Sequence, residues 1–126
     1  YESGRRGVPQ DYVAGRKWYE FAAAQGHAWA QNQLGQLYAD GRGVPQDCDR
    51  ALSILKGEAG KSNARAQSAL GSMYATGHCV SRDLPTAYRY FALVLRTDPE
   101  NGVASQNLES LWKQMTPPER QAATKQ

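Results

Sequence analysis

The residues of this chain that are best suited to catalysis are a serine and a lysine three positions apart, a pattern that occurs twice. Ser53 precedes Lys56, and Ser110 precedes Lys113. This Ser-x-x-Lys spacing is that of the nucleophile in penicillin-recognising enzymes. The pattern is short and arises readily by chance, and no Lys-Thr-Gly triplet accompanies it. The helical pattern of the chain does not supply the large α/β scaffold that those enzymes need. We therefore predict that the protein is not an enzyme and has no catalytic residues.

The other reactive side chains are too few to form a metal or cofactor site. His27 and His78 are the two histidines, and His78 has only Cys79 beside it. Two residues do not make a zinc site, which needs three or four protein ligands. The glycines of the predicted turns follow helices, whereas those of a phosphate-binding loop follow a strand. Glu58 lies near the end of a predicted helix, where we expect it to face solvent. We predict no metal and no cofactor.

The elements that must position these residues recur along the chain with a period of 36 residues. The stretch 34–41, LGQLYADG, returns at 70–77 as LGSMYATG. The stretch 43–47, GVPQD, also occurs at 7–11 and, in a weakened form, at 79–83. A fixed period in this range is typical of a solenoid, in which each repeat is one supersecondary element stacked on its neighbours. Such an architecture favours binding over catalysis.

The first half of each repeat is predicted to be an α-helix with one apolar stripe. Side chains at i, i+4, i+7 and i+8 lie on one face of a helix. Gly35 and Gly71 stand in the middle of this helix, where glycine costs about 1 kcal/mol relative to alanine. Their recurrence indicates that a second helix packs closely there. Gly41 and Gly77 should end the helix in the left-handed conformation. The stripe consists of Ala30, Leu34, Leu37 and Tyr38, then Ala66, Leu70, Met73 and Tyr74, and finally Ala104, Leu108, Leu111 and Trp112.

The second half of each repeat is predicted to be another helix that begins after an aspartate. Asp11, Asp47 and Asp83 stand at the expected starts, and Asp is a strong N-cap because its carboxylate accepts backbone N–H groups of the first turn. Asn63 can cap the following first helix in the same way. Near the end of the chain, Thr116-Pro-Pro-Glu119 has the pattern of a capping box. A short polar helix should follow and close the C-terminal end of the stack. The side chains predicted to point inward from the second helices are Ala51, Leu55, Ala87 and Phe91.

These patterns predict an all-α solenoid of stacked antiparallel helix pairs, forming one domain over residues 1–126. Residues 1–27 are an incomplete repeat that lacks its first helix, because Tyr1 aligns with Tyr38, late in a first helix. Residues 28–63 and 64–98 are repeats, and residues 99–126 are a C-terminal partial repeat with a capping helix. The helix from Asp11 to Gln25 should then expose its apolar face in part, or pack on another chain. That face consists of Tyr12, Trp18, Tyr19, Ala22 and Ala23.

The composition is that of an ordinary soluble globular protein. Charged residues make up 21% and hydrophobic residues 40% of the 126 residues. No apolar run approaches the roughly 18 residues of a membrane span. The net charge is +3, and adjacent basic pairs occur only at 5–6 and 16–17, whereas a nucleic-acid binder clusters its basic residues on one face. We predict neither membrane insertion nor nucleic-acid binding.

The repeated motifs resemble those of the Sel-1-like repeat family, a relative of the tetratricopeptide repeat. Residues 33–47, QLGQLYADGRGVPQD, match the first part of the family pattern, and residues 17–26, KWYEFAAAQG, match its end. The resemblance covers residues 1–96 well and the remainder loosely. Cys79 and Ser81 depart from the turn pattern, in place of a glycine and a proline. The resemblance implies a right-handed α-solenoid and an adaptor or scaffold that holds protein partners. Many bacterial members are secreted or periplasmic, so the compartment stays open.

The two cysteines are expected to be free thiols, with a disulfide as the alternative. Cysteine-rich members of the family pair their cysteines within one repeat, whereas Cys48 and Cys79 lie in different repeats. Both fall at the edge where stacked turns approach one another, but a disulfide needs Cα atoms within about 7 Å. Cys79 should be the more exposed of the two.

The resemblance also implies which side chains meet a partner. In tetratricopeptide repeats, the first helices line a concave face with side chains one, four, eight, eleven and twelve residues after their first residue. Asn and Gln suit a peptide backbone because they both donate and accept hydrogen bonds, and Trp29 is the natural hot spot. Packing of Trp29 on the preceding helix is the alternative, as is a merely solvated face for the others. The predicted partner-binding residues are Trp29, Asn32, Gln36, Asp40, Arg65, Ser68, Ser72, Gln106, Ser110 and Lys113, and the same count includes Ala39, Ala75, Thr76, Val103 and Gln114.

We therefore expect a non-catalytic module that binds a protein or peptide on its concave face. The main alternative is a structural segment of a longer repeat array or oligomer without a client of its own, with self-association through the open N-terminal end. An enzyme, and a carbohydrate or inhibitor site at Trp29, are weaker alternatives. Clustering of Trp29, Gln36 and Arg65 in one cleft would favour ligand binding.

Overall fold

The protein is all-helical over the residues that the computed structural model describes, 15–42 and 44–125. The predicted all-α class is confirmed. None of the helices in these ranges is long and apolar enough to cross a membrane. The helices are α1 (described over 15–24), α2 (Ala28–Asp40), α3 (Cys48–Ala59), α4 (Ala64–Thr76), α5 (Leu84–Thr97), α6 (Gly102–Gln114) and α7 (Pro117–Thr124).

The chain forms two compact units, and the boundary between them, after Leu55, lies within α3. The described part of unit 1 covers residues 15–42 and 44–55, and that of unit 2 covers residues 56–125.

In unit 1, α2 packs closely on α3 at a glycine. A Cβ on Gly35 would lie 2.9 Å from both Cγ and Cδ2 of Leu55, closer than carbon atoms pack. This confirms that the mid-helix glycine serves the approach of a second helix. α2 ends at Gly41, which has φ 72° and donates its N–H to the carbonyl of Leu37, as the C-cap pattern predicts.

The apolar face of α1 is partly exposed, as expected. Ala22 and Ala23 are buried, Tyr19 is half-buried, and Trp18 remains 56% exposed. Tyr12 lies outside the described residues. α1 thus contributes small side chains to the core of unit 1 and leaves a large aromatic one at its surface.

In unit 2, α4 approaches α5 in the same way. A Cβ on Gly71 would lie 2.8 Å from Cε2 of Phe91. α5 is the central helix of this unit and carries much of its core, which α6 and α7 complete. Trp112 was predicted to be on the buried stripe and is instead 37% exposed, because its ring rests on Tyr88 and under the guanidinium of Arg120 at the surface. The buried core residues are Leu84, Ala87, Phe91, Val94, Ala104, Leu111, Met115 and Ala123.

The predicted helix caps are present wherever the structure describes them. The Asn63 side chain accepts the N–H groups of Arg65 and Ala66, and Asp83 accepts that of Thr86. Asp47 accepts the N–H of Arg50 at 3.0 Å. Thr116 and Glu119 form the reciprocal capping box. Asp11 lies outside the described residues.

The expectation of free thiols is wrong, because Cys48 and Cys79 are both disulfide-bonded. The expectation relied on spacing in the sequence, which does not measure the distance between Cα atoms in the folded chain. Cys79 has φ 68°, a left-handed conformation that favours glycine. Cys79 thus has a left-handed backbone at a position where the repeat pattern has glycine.

The expectation that Glu58 faces solvent is also wrong, since its residue is 4% exposed. Ala22 occupies the same position one repeat earlier and is buried as well. The carboxylate is accommodated because Oε2 lies 3.3 Å from Nζ of Lys61 and Oε1 accepts from Nδ2 of Asn63 at 3.4 Å. A buried carboxylate with such partners avoids the cost of an unpaired charge.

Candidate interaction surfaces

The two serines first considered for catalysis lie on different helices, α3 and α6. Ser53 is exposed on α3, and the hydroxyl of Ser110 accepts a hydrogen bond from Nε2 of Gln114 at 3.2 Å. Among the described residues, no group of three or more His, Cys, Asp or Glu side chains is arranged to hold a metal ion. The surface is therefore best described by its clefts.

Most of the predicted partner-binding residues lie at the surface, with a few exceptions. Asn32 is only 2% exposed, so the expectation that it faces outward is wrong. α2 packs on both α1 and α3, which buries more of its circumference than one stripe, and Ala39 is buried for the same reason. Ser68 is half-buried. The exposed members of the set are Trp29, Gln36, Asp40, Arg65, Ser72, Gln106, Ser110 and Lys113.

A polar cleft lies in unit 2, between α4 and α6, with a volume of about 310 Å³. It brings together Ser72 and Ser110 from the predicted set. Asn107 was not predicted, although it lies one turn before Ser110 on α6 and so shares its face. Phe91 was expected only in the core. The lining residues are Ser72, Ala75, Thr76, Phe91, Asn107, Ser110, Leu111 and Gln114.

The polar cleft combines a neutral hydrogen-bonding rim with an apolar floor. Phe91 and Leu111 are 3% and 5% exposed and form the floor. On the rim, Nε2 of Gln114 donates to the carbonyl of Ser110 at 3.3 Å, and Oε1 of Gln114 accepts from Nη2 of Arg82 at 3.3 Å. The hydroxyl of Thr76 donates to a backbone carbonyl of its own helix. None of the lining residues is charged, and the guanidinium of Arg82 adjoins the rim through its hydrogen bond to Gln114.

A second cleft, the aromatic cleft, lies in unit 1 and has a volume of about 300 Å³. Trp29 meets Tyr19 and Trp18 of α1 edge to face, with ring centroids 5.4 and 6.0 Å apart. Trp29 therefore packs on the preceding helix, one of the two alternatives considered, and still keeps 45% of its surface exposed. Gln36 is exposed on α2 and does not line this cleft. The lining residues are Trp18, Phe21, Ala22, Gln25, His27, Trp29 and Ala30.

The sequence matches the family model of the Sel1 repeat three times, over residues 1–27, 30–56 and 64–93. These matches cover more than half of the chain. The chain belongs to the Sel1 repeat family. Proteins built from Sel1 repeats are generally modules for protein interaction, and the family is generally non-catalytic. The resemblance seen in the repeated motifs is thereby confirmed.

Two bacterial structures are similar to this Sel1 repeat chain. One is c5321, a protective antigen present in uropathogenic Escherichia coli strains and displaying an SLR fold, with TM-score 0.80 and 29% identity over 96% of this chain. The other is a Sel1 repeat protein from Oxalobacter formigenes, with TM-score 0.71 and 24% identity over 89% of this chain. The chain spans 26% and 45% of their respective lengths. None of the curated proteins matches it in sequence. The predicted α-solenoid of repeats is confirmed by these folds.

Proposed function

We propose that this Sel1 repeat chain is a non-catalytic module that binds an extended peptide segment of a protein partner in the polar cleft between α4 and α6. The observation that carries the proposal is the composition of this cleft. Neutral hydroxyl and amide groups surround a floor formed by Phe91 and Leu111. This combination suits a peptide better than a small charged ligand.

An extended peptide presents groups that complement this rim. Each of its residues, proline apart, carries one backbone N–H donor and one C=O acceptor, and these need partners when they leave water. The amide of Asn107 offers both a donor and an acceptor, and Ser72 and Ser110 have hydroxyls that do the same, whereas the amide of Gln114 is already bonded to Ser110 and Arg82. An apolar side chain of the peptide would cover the floor. Backbone hydrogen bonds would then supply affinity, and the floor would select the side chain.

The proposed surface extends along the same helix faces. Ser68 lies one turn before Ser72 on α4, and Gln106 lies one turn before Ser110 on α6. Arg65 and Lys113, both exposed, would add positive charge beside the peptide. We also propose as partner-binding residues three side chains of α2 in unit 1, Trp29, Gln36 and Asp40. Asn32 is not part of the proposal, because it is buried.

A structural role within a longer array is the second candidate. It is favoured by the lengths of the two similar structures, of which this chain spans 26% and 45%. A segment with this role would have no client of its own.

A blocking substitution separates the two candidates. Peptides selected from a random display library on the 126-residue chain would be titrated against the parent, Ser110→Tyr and Ser53→Tyr. Ser110 lines the polar cleft, so a tyrosine there should fill it and weaken binding at least tenfold. Ser53 is an equally exposed serine on α3, outside the cleft, and its variant should bind like the parent.

The outcomes decide between binding and a purely structural role. Circular dichroism and thermal melting would show that both tyrosine variants keep the fold, and Asn107→Ala provides a second, smaller change in the cleft. Peptides that bind all variants equally would refute the polar cleft as their site. A library that yields no peptide would favour the structural role.

A further inference from the structure

The aromatic cleft of unit 1 carries side chains that the repeat fold does not require. Some core positions are identical between repeats, since Ala30 and Leu34 correspond to Ala66 and Leu70. At the cleft positions they differ. The positions of Trp18, Phe21 and Trp29 are occupied by Ile54, Gly57 and Arg65 one repeat later, and by Tyr90, Leu93 and Val103 two repeats later. The same helix pair therefore folds without this set of aromatic rings.

The rings are held in one arrangement before any ligand arrives. Trp29 lies at 73° to Trp18 and at 72° to Tyr19, and Trp18 lies at 76° to Tyr19. Edge-to-face pairs of this kind contribute about 0.5–1.5 kcal/mol beyond the burial of their area. The arrangement leaves Trp18 56%, Phe21 68% and Trp29 45% exposed. The cleft is thus an apolar surface that stays in contact with water.

The size of this surface fits a short segment better than a second folded protein. An aromatic side chain has roughly 150–250 Å² to bury, so the exposed parts of these three present about 300 Å². A stable protein interface buries about 800 Å² on each partner. The aromatic cleft alone is therefore too small for a stable dimer.

The side chains that line the aromatic cleft limit the kind of partner segment that can bind there. Among the described residues that line the aromatic cleft, none is Asp, Glu, Lys or Arg, and the polar side chains are those of Gln25 and His27. A sugar would leave most of its hydroxyl groups without partners there, and a charged peptide would lose hydration without a counter-charge. A proline-rich segment has apolar rings to stack on indoles, and its carbonyl groups have no internal hydrogen bonds in the polyproline II conformation. Aromatic-lined grooves bind such segments because little conformational entropy is lost.

We propose that the aromatic cleft is a second binding site, separate from the polar cleft, which takes a proline-rich segment of a partner protein in the polyproline II conformation. The proline rings contact Trp18, Phe21 and Trp29, and the amide of Gln25 donates to a carbonyl group of the segment.

The repeats themselves supply the test variants. Fluorescein-labelled deca-L-proline would be titrated against the 126-residue chain by fluorescence anisotropy, with a glycine-serine decapeptide as the control ligand. Trp29→Arg installs the residue that the next repeat has at this position, and should weaken binding at least tenfold. Val103→Arg makes the same kind of change at the corresponding exposed position of the last repeat, and should bind like the parent. Ser110→Tyr should also bind like the parent, because it alters only the polar cleft.

Three results would overturn the proposal. The first is the absence of saturable binding of deca-L-proline up to millimolar concentration. The second is equal affinity of the parent and Trp29→Arg, with both folded by circular dichroism. The third is a parent chain that is dimeric by light scattering and that Trp29→Arg converts to a monomer, which would assign the aromatic cleft to a second copy of the chain.

Discussion

The side chain of Gln67 donates a hydrogen bond from Nε2 to the backbone carbonyl of Ala59, at 3.1 Å. Gln31, which is 36 residues earlier in the sequence, makes the same bond to the carbonyl of Ala23, at 3.4 Å. In both cases a glutamine near the start of one helix donates to a carbonyl at the end of the preceding helix, and this carbonyl also accepts a backbone N–H, from Ser62 or Gly26. This glutamine bond is therefore a link between successive helices that recurs with the repeat.

Replacing Gln67 with alanine should destabilise the protein by about 0.5–1.5 kcal/mol, because the Ala59 carbonyl would lose its side-chain donor and keep the N–H of Ser62. Gln31→Ala should cost less, since Gln31 is only half-buried and its bond is longer. Urea unfolding followed by circular dichroism measures both. Equal effects of the two substitutions would show that burial of the bond does not set its contribution.

Gly71→Ala should destabilise the protein by about 1–3 kcal/mol despite the higher helix propensity of alanine. The new Cβ would lie 2.8 Å from Cε2 of Phe91, so the buried ring would have to move. A matched control is Gly57, also within a helix, where a Cβ meets nothing within 4 Å. Gly57→Ala should stabilise the protein by about 0.5–1 kcal/mol.

A double-mutant cycle tests the cause of the Gly71 effect. Adding Phe91→Leu to Gly71→Ala makes room for the methyl group, so the double variant should be more stable than the sum of the two single changes predicts. Additive effects would mean that the contact with Phe91 is not responsible.

The unreduced protein should contain no reactive thiol even when unfolded in guanidinium, and two after reduction, because both cysteines are disulfide-bonded. Reduction should lower the free energy of unfolding by about 2–4 kcal/mol. Such bonds persist in oxidising compartments, so a reducing environment should destabilise the protein. Titration with Ellman's reagent gives the thiol count, and two thiols in the unreduced, unfolded protein would contradict the bond.

The free energy of unfolding should fall at alkaline pH because the pKa of Tyr90 is raised in the folded protein. Burial raises the pKa of its phenol, and the neighbouring Tyr74 raises it further, while Lys56 lowers it. Below pH 10 both the folded and the unfolded states keep this proton. As the pH rises above about 10, the unfolded state releases it first, so the free energy of unfolding falls until the folded Tyr90 ionises as well.

Tyr90→Phe removes this contribution, so the free energy of unfolding should decrease less steeply above pH 10 than in the parent. Chemical denaturation at a series of alkaline pH values measures the slope. Tyr74→Phe keeps the burial of Tyr90 and removes only the charge of its neighbour, and should have an intermediate slope. Identical slopes for the parent and Tyr90→Phe would contradict the raised pKa.

The sequence alone determined the helices, their ends and their family, because these depend on local chemistry that repeats. Gly41 and Gly77 end their helices in the left-handed conformation, and Asn63, Asp83 and Thr116 begin theirs. The close approaches at Gly35 and Gly71 were also predictable. A glycine in the middle of a helix destabilises it, so its recurrence at the same position of each repeat indicates that another helix packs there.

Tertiary structure alone decided which side chains share a cleft and which are buried. The counting rule placed Asn32 at the surface, but α2 packs on two neighbours and buries it. Glu58 is buried with its carboxylate paired to Lys61 and Asn63, and the state of Cys48 and Cys79 depends on distance in space. These outcomes result from packing between helices, which a period of 36 residues does not specify.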